Sequence, residues 1–188
     1  NSLVGFLLML FTGLLARELS QSWKVAFFAL LFMALSPRIF GHSINNPQDI
    51  PFAAAYVFTL LHLIRFLKQL PSPGTKTVLM VIIGIAAAIN VRVGGILLIA
   101  YFGLFTIMTV LLRPELRVQL SNTKFLIRMT SVGLFIVLAS YFCGMLYWPY
   151  ALQAPFSNPF TALSEMSNFS TSIRMLFQGE HLWSDEIA

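Results

Sequence analysis

Apolar residues occur along this chain in six runs, 3–16, 23–35, 51–66, 77–89, 94–112 and 125–148, separated by short polar breaks. About 20 helical residues cross a hydrocarbon layer, so the fifth and sixth runs suffice alone and the third does so with its flanks. The first, second and fourth are short, which fits truncated spans, spans tilted in a locally thin membrane, or helices buried among others. Helices satisfy their own backbone hydrogen bonds in lipid, so the pattern predicts an all-α fold, a polytopic transmembrane bundle of about six spans over residues 1–148. Residues 149–188 are then the start of an extracytoplasmic loop.

Composition agrees with this division. Hydrophobic residues make up 57% and charged residues 10% of the chain, with a mean hydropathy of +0.80; soluble domains carry roughly 25% charged residues. The net charge of +5 raises nucleic acid as a partner, but the basic residues sit at the ends of apolar runs, where membrane orientation accounts for them. No nucleic-acid partner is expected. Cys143 is the one cysteine and lies inside an apolar run, which excludes a disulfide within the chain and predicts a packed apolar thiol. The chain opens at Asn1, apolar from Leu3 without a basic flank, and stops at Ala188. That reads as a piece of a longer protein without a recognisable signal peptide.

Charge sorting gives an orientation. The first, third and fifth breaks hold nine basic residues, Arg17, Lys24, Arg65, Lys68, Lys76, Arg113, Arg117, Lys124 and Arg128, whereas the second, the fourth and the segment after the last run hold Arg38, Arg92 and Arg174. Basic residues are enriched in cytoplasmic loops, so the odd breaks are assigned to the cytoplasm. Of the acidic residues, Glu18 and Glu115 fall inside, and Asp49, Glu165, Glu180, Asp185 and Glu186 fall outside. Polar chemistry is therefore expected on the extracytoplasmic face.

Three constellations lie there. In SPRIFGHSINNPQDIPF, residues 36–52, Pro37 ends the second helix, Asn45-Asn46-Pro47 signals a turn, and Asp49 caps a helix whose first turn tolerates Pro51. That reading makes the stretch a capped loop but leaves Arg38 and His42 unexplained. A loop presenting Arg38, His42, Asn45, Asn46 and Asp49 also suits a phosphate and sugar hydroxyls. In NVRVGG, residues 90–95, Arg92 either reaches headgroups from a glycine hairpin or faces the same side as Asp49, to pair with it or hold a lipid phosphate. In the outer segment, Trp148-Pro149-Tyr150 reads as an interfacial anchor and helix stop, and residues 160–177 as an amphipathic helix on Leu163, Met166, Phe169, Ile173 and Phe177. Glu180, His181, Asp185 and Glu186 follow; they offer metal donors in no recognised ligand spacing, so hydrated loop acids are the simpler reading. Asn168-Phe169-Ser170 has the form of a glycosylation sequon, and His62 that of an interhelical hydrogen-bonding residue. Phosphate-loop, HExxH and GxSxG motifs are absent.

On SPRIFGHSINNPQDIPF, NVRVGGILLIAYFGLF and LFQGEHLWSDEI, the chain resembles bacterial members of the protein O-mannosyltransferase superfamily, polytopic glycosyltransferases of the GT-C fold. The resemblance implies sugar transfer from a polyprenyl-phosphate donor to a protein, glycan or lipid acceptor at the outer face of the bacterial inner membrane. It implies a principal catalytic acid in an outer loop before these spans, and gives Asp49 the position of a second acid near donor phosphate or acceptor. A divalent metal is compatible with it, and no nucleotide site is required. A secondary transporter would instead call for internal repeats and midplane polar residues, and a noncatalytic membrane scaffold would leave the polar loops as connectors.

Overall fold

A computed structural model of the chain describes residues 2–167 and 174–183. The elements are α1 (Ser2–Ser20), α2 (Trp23–Leu35), α3 (Pro37–Asn45), α4 (Asp49–Lys68), α5 (Thr75–Val91), α6 (Leu97–Leu112), α7 (Pro114–Arg117), α8 (Thr123–Met145), α9 (Pro149–Gln153), α10 (Asn158–Ser167) and a hairpin of β1 (Arg174–Phe177) and β2 (Glu180–Trp183). Single 3-10 turns at Val93–Ile96 and Val118–Ser121 lead into α6 and α8. The chain is thus helical, as its apolar runs require. Four helices are long and apolar enough to cross a membrane, Ser2–Ser20, Asp49–Lys68, Val93–Leu112 and Thr123–Met145. The pair α2 and α3, bent by 67°, makes a fifth if counted as one span, and α5 is shorter at 17 residues.

Helix α5 forms the centre. Val81, Ile82, Gly84, Ile85, Ala88 and Ile89 are buried along it and join Leu63 and Phe66 of α4, Leu98 and Phe102 of α6 and Ile136 of α8 in one core. Two glycines let the neighbours approach. A Cβ on Gly84 would lie 2.5 Å from Thr59 Oγ1 and 3.1 Å from Thr59 Cα of α4, and one on Gly144 of α8 would lie 2.7 Å from Ile89 Cβ. Small residues at such crossings are the usual means of tight helix packing in lipid, where apolar burial gives little drive for association. A second cluster sets Leu8 of α1 against Ile50 and Ala54 of α4. At the other ends of these two helices, Glu18 accepts from Arg65 Nε at 3.1 Å and Lys68 Nζ at 2.7 Å, so α1 and α4 run parallel, tied at both ends. Arg113 Nη1 donates to the Leu67 carbonyl at 3.0 Å, and the Arg17 guanidinium stacks 3.8 Å over Trp23. Among the described residues, then, the basic helix termini gather at one end of the bundle.

Several expectations change here. Pro37 does end α2, but it also occupies the first position of α3, where its missing N–H is no loss, so residues 37–45 are helix and not loop. Asp49 is not the cap of α4: it lies inside the first turn, and Asn46 Oδ1 accepts from the backbone N–H groups of Gln48 at 3.1 Å and Asp49 at 2.8 Å. Cys143 is exposed on the surface of α8 and not packed. The amphipathic helix expected over 160–177 ends within its first half. α10 stops at Ser167, residues 168–173, with the sequon, lie outside the described residues, and Arg174–Phe177 pair antiparallel with Glu180–Trp183. The cause is the two-residue turn Gln178-Gly179, whose φ values of 51° and 91° are those a tight hairpin requires. A Cβ on Gly103 or Gly133 would meet nothing within 4 Å. Gly144→Ala is accordingly expected to lower stability by about 1–3 kcal/mol through overpacking, while Gly103→Ala is neutral or stabilising by up to about 1 kcal/mol through helix propensity. Thermal unfolding of both variants in the same detergent checks the contrast.

Candidate functional site

At the end of the bundle opposite the Glu18 clamp, the α3–α4 corner and the α5–α6 turn come together. The corner is tight because Asn46 ends α3 with its backbone N–H on the His42 carbonyl at 2.9 Å and opens α4 with its side-chain oxygen. That places His42, one helical turn before Asn46, beside the amide: Asn46 Nδ2 lies 3.2 Å from His42 Nδ1 and donates to Asp49 Oδ2 at 2.7 Å. The other Asp49 oxygen, Oδ1, accepts from Arg92 Nη2 at 2.8 Å. Arg92 reaches it because residue 92 is extended between α5 and the following 3-10 turn, and that turn folds so closely on α5 that a Cβ on Gly95 would overlap the Ala88 and Ile89 backbone.

Arg38, His42 and Asp49 line one open-sided pocket of about 330 Å³, whose remaining wall is apolar: Leu8, Ile39, Ile50 and Ala53. Arg38 lies on the exposed face of α3 and is in no ion pair among the described residues. The pocket therefore joins a free guanidinium, an imidazole and a carboxylate already neutralised from behind by Arg92, on a floor supplied by α1 and α4. Such a site can hold an anion on its cationic side and hydroxyl groups on its carboxylate side while an apolar group lies against the helices.

Of the residues singled out from sequence, Arg38, His42, Asn46, Asp49 and Arg92 are brought together. Asn45 is exposed at the end of α3 and takes no part in the network. Glu180 and His181 are exposed on β2, in the hairpin, and Asp185 and Glu186 lie outside the described residues. Among the described residues no three His, Cys, Asp or Glu side chains cluster as metal ligands. His62 is buried and bonds within its own helix, Nδ1 lying 2.9 Å from the Phe58 carbonyl. Sequence reasoning missed the part of Asn46 as the hub of the network. The signal was present, since an asparagine after a helix and three residues before an acid is placed for an Asx-type cap.

Comparison with family models, curated proteins and solved structures finds no match to this chain. The pocket chemistry therefore has to carry the functional reading.

The Asp49–Arg92 pair has side chains 53% and 44% exposed. Solvent screening at that exposure limits such a pair to about 0.2–1 kcal/mol. A double-mutant cycle with Asp49→Asn and Arg92→Gln is expected to give a coupling of no more than about 1 kcal/mol; a coupling well above that would mean that the pair is more shielded from solvent in the membrane than its exposure here implies.

Proposed function

We propose that the chain is part of an integral membrane glycosyltransferase that moves a sugar from a polyprenyl-phosphate donor to an acceptor on the extracytoplasmic face of a bacterial inner membrane. The observation that carries this reading is the pocket shared by Arg38, His42 and Asp49 at the end of an apolar helical bundle. A lipid-linked sugar phosphate has three parts, and the pocket offers chemistry for each. Its polyprenyl tail stays in hydrocarbon beside the apolar helices, its phosphate meets Arg38, and its sugar hydroxyls meet Asp49.

In the reaction an acceptor oxygen bonds to the anomeric carbon as the bond from that carbon to the phosphate oxygen breaks. The electron pair leaves with the lipid phosphate, and the acceptor proton passes to a general base. Arginine beside the departing phosphate stabilises the charge that develops there. Both Asp49 oxygens are engaged, by Arg92 and Asn46, which suits a fixed charge more than a base. The base is the principal acid that the family resemblance assigns to an outer loop before these spans. No nucleotide is needed, in keeping with the absence of a phosphate loop.

Six spans of a GT-C-type membrane domain complete the proposal. α5, at 17 residues, reaches the lower limit of about 17 for a crossing helix, and α2 with α3 supplies a bent span. Counting both as crossings sets the basic termini and the pocket on opposite faces, and the enrichment of Lys and Arg in cytoplasmic loops is what assigns the basic termini to the inside in this reading. The charged side chains lie towards the helix ends, and the polar groups within the helices are neutral: His62 and Thr59 of α4 bond to their own helix, and Thr106 of α6 and Ser140 of α8 are buried hydroxyls. The placement of charge favours a transferase over a midplane ion-coupled transport site.

The test is transfer of radiolabelled sugar from a panel of polyprenyl-phosphate sugars by the protein in native membranes. Arg38→Gln is expected to lower kcat/KM roughly 10- to 100-fold, the worth of a charge-assisted hydrogen bond to phosphate. Full activity in Arg38→Gln, or absence of transfer by the wild type from every donor, would overturn the reading.

A further inference from the structure

All four hydrogen-bonding positions of the Asn46 amide are in use, and their partners fix which way it faces. Two backbone N–H groups, of Gln48 and Asp49, meet one side-chain atom at 3.1 and 2.8 Å. An N–H only donates, so that atom is the oxygen. The other atom is the NH₂ group, which also only donates, so both of its partners accept: Asp49 Oδ2 at 2.7 Å and His42 Nδ1 at 3.2 Å. A neutral imidazole that accepts at Nδ1 carries its proton on Nε2. Nε2 has no partner among the described residues, and His42 lines the pocket with Arg38.

We infer that Asn46 is a positioning residue that locks neutral His42 as its Nε2–H tautomer, so that Nε2–H and the Arg38 guanidinium form a corner of donors alone, built for a phosphate oxygen. Arg38 and Arg92 against Asp49 leave one net positive charge in the network. The acceptor that lines the pocket, Asp49, is held by Arg92 and Asn46, which limits its repulsion of an anion. The inference deepens the proposed function by assigning the phosphate to Arg38 and His42 in place of Arg92. The identity of the phosphate as that of the sugar donor rests on that reading; the tautomer does not.

Nitrogen NMR of the full chain labelled with ¹⁵N-histidine in nanodiscs, at alkaline pH where imidazole is neutral, reads the tautomer directly. The His42 signals are those lost in His42→Gln. Wild type is expected to show a pyridine-type Nδ1 and a pyrrole-type Nε2. Exchanging the two side chains, Asn46→Asp with Asp49→Asn, keeps an oxygen for the two backbone N–H groups, supplies an amide donor opposite the new carboxylate in place of a second carboxylate, and sets an oxygen against Nδ1, so the pattern inverts to Nδ1–H; Asn46→Ala frees the ring and the two forms average. A wild-type Nδ1–H, or a pattern unmoved in both variants while circular dichroism retains the helices, overturns the lock.

Inorganic phosphate and, separately, a short isoprenyl phosphate are expected to shift the wild-type Nε2 signal, with Arg38→Gln weakening the response at least ~10-fold. A response to the isoprenyl phosphate alone assigns the corner to a lipid-linked phosphate, and a response to both assigns it to the phosphate group itself. No response to either overturns the anion corner. Sugar transfer that persists without such a response would discard the corner and keep the transferase reading, and a response without transfer would do the reverse.

Discussion

Close backbone packing around α5 is the constraint on which the rest of this structure depends. Gly84 lets Thr59 of α4 against one part of α5, and Gly144 of α8 lets Ile89 approach from another. Among apolar surroundings the hydrophobic effect gives little preference for one helix arrangement over another, so shape at these crossings has to supply it. With α4 and α8 fixed on α5, the start of α4 and the end of α5 meet at one end of the bundle, and Asp49 comes within reach of Arg92. The pocket itself is lined by α1, α3 and α4, with its polar residues Arg38 and His42 on α3 and Asp49 on α4. What the α4–α5 packing adds is Arg92, from the α5–α6 turn, which holds the Asp49 carboxylate from outside that lining.

The two ends of the bundle use their charges differently. At the Glu18 end, one carboxylate gathers Arg65 and Lys68 and holds α1 to α4, while Arg113 takes a helix-terminal carbonyl. These are side chains tying helix ends together, with cations near carbonyl termini where the helix dipole favours them. At the Asp49 end, one carboxylate is again paired, but Arg38 is in no ion pair among the described residues and lies beside an imidazole and an apolar wall. A surplus donor set in a pocket is the feature that distinguishes this end as a place for a ligand. The Asn46 amide matters more than its size implies, because it serves at once as the acceptor of the N–H groups that lead into α4, the partner of Asp49 and the neighbour of His42.

Much of the fold was legible because its cause is local. Runs of apolar residues become helices of about those lengths, and the polar breaks become turns. The charge sorting of the breaks agrees with the two ends seen here: Arg17, Arg65, Lys68 and Arg113 lie at helix ends that meet, as do Arg38, Asp49 and Arg92. What could not be read was whatever depends on one residue serving two roles. Pro37 stops one helix and starts the next, so the stretch that looked like loop is α3. Asp49 does not cap α4, whose N-cap position falls at Gln48; it is Asn46, in the turn before it, whose oxygen accepts from the N–H groups two and three residues on. The hairpin of residues 174–183 was hidden under apolar spacings near three and four, which a short strand also satisfies by chance, while the two-residue Gln178-Gly179 turn carried the contrary signal. Cys143, apolar by neighbourhood in sequence, faces outward because α8 is covered by protein on one side only.

The central claim is geometric: an apolar bundle with its basic clamp on one side of a membrane and its Arg38–His42–Asp49 pocket on the other. Gly41 on α3 and Ser72 between α4 and α5 are both exposed, one at each end. Single cysteines at these positions, in a Cys143→Ala background, can be labelled with a membrane-impermeant maleimide on sealed right-side-out vesicles. The account predicts labelling at position 41 from outside and at position 72 only after the vesicles are opened; labelling of both positions from the same side would contradict it.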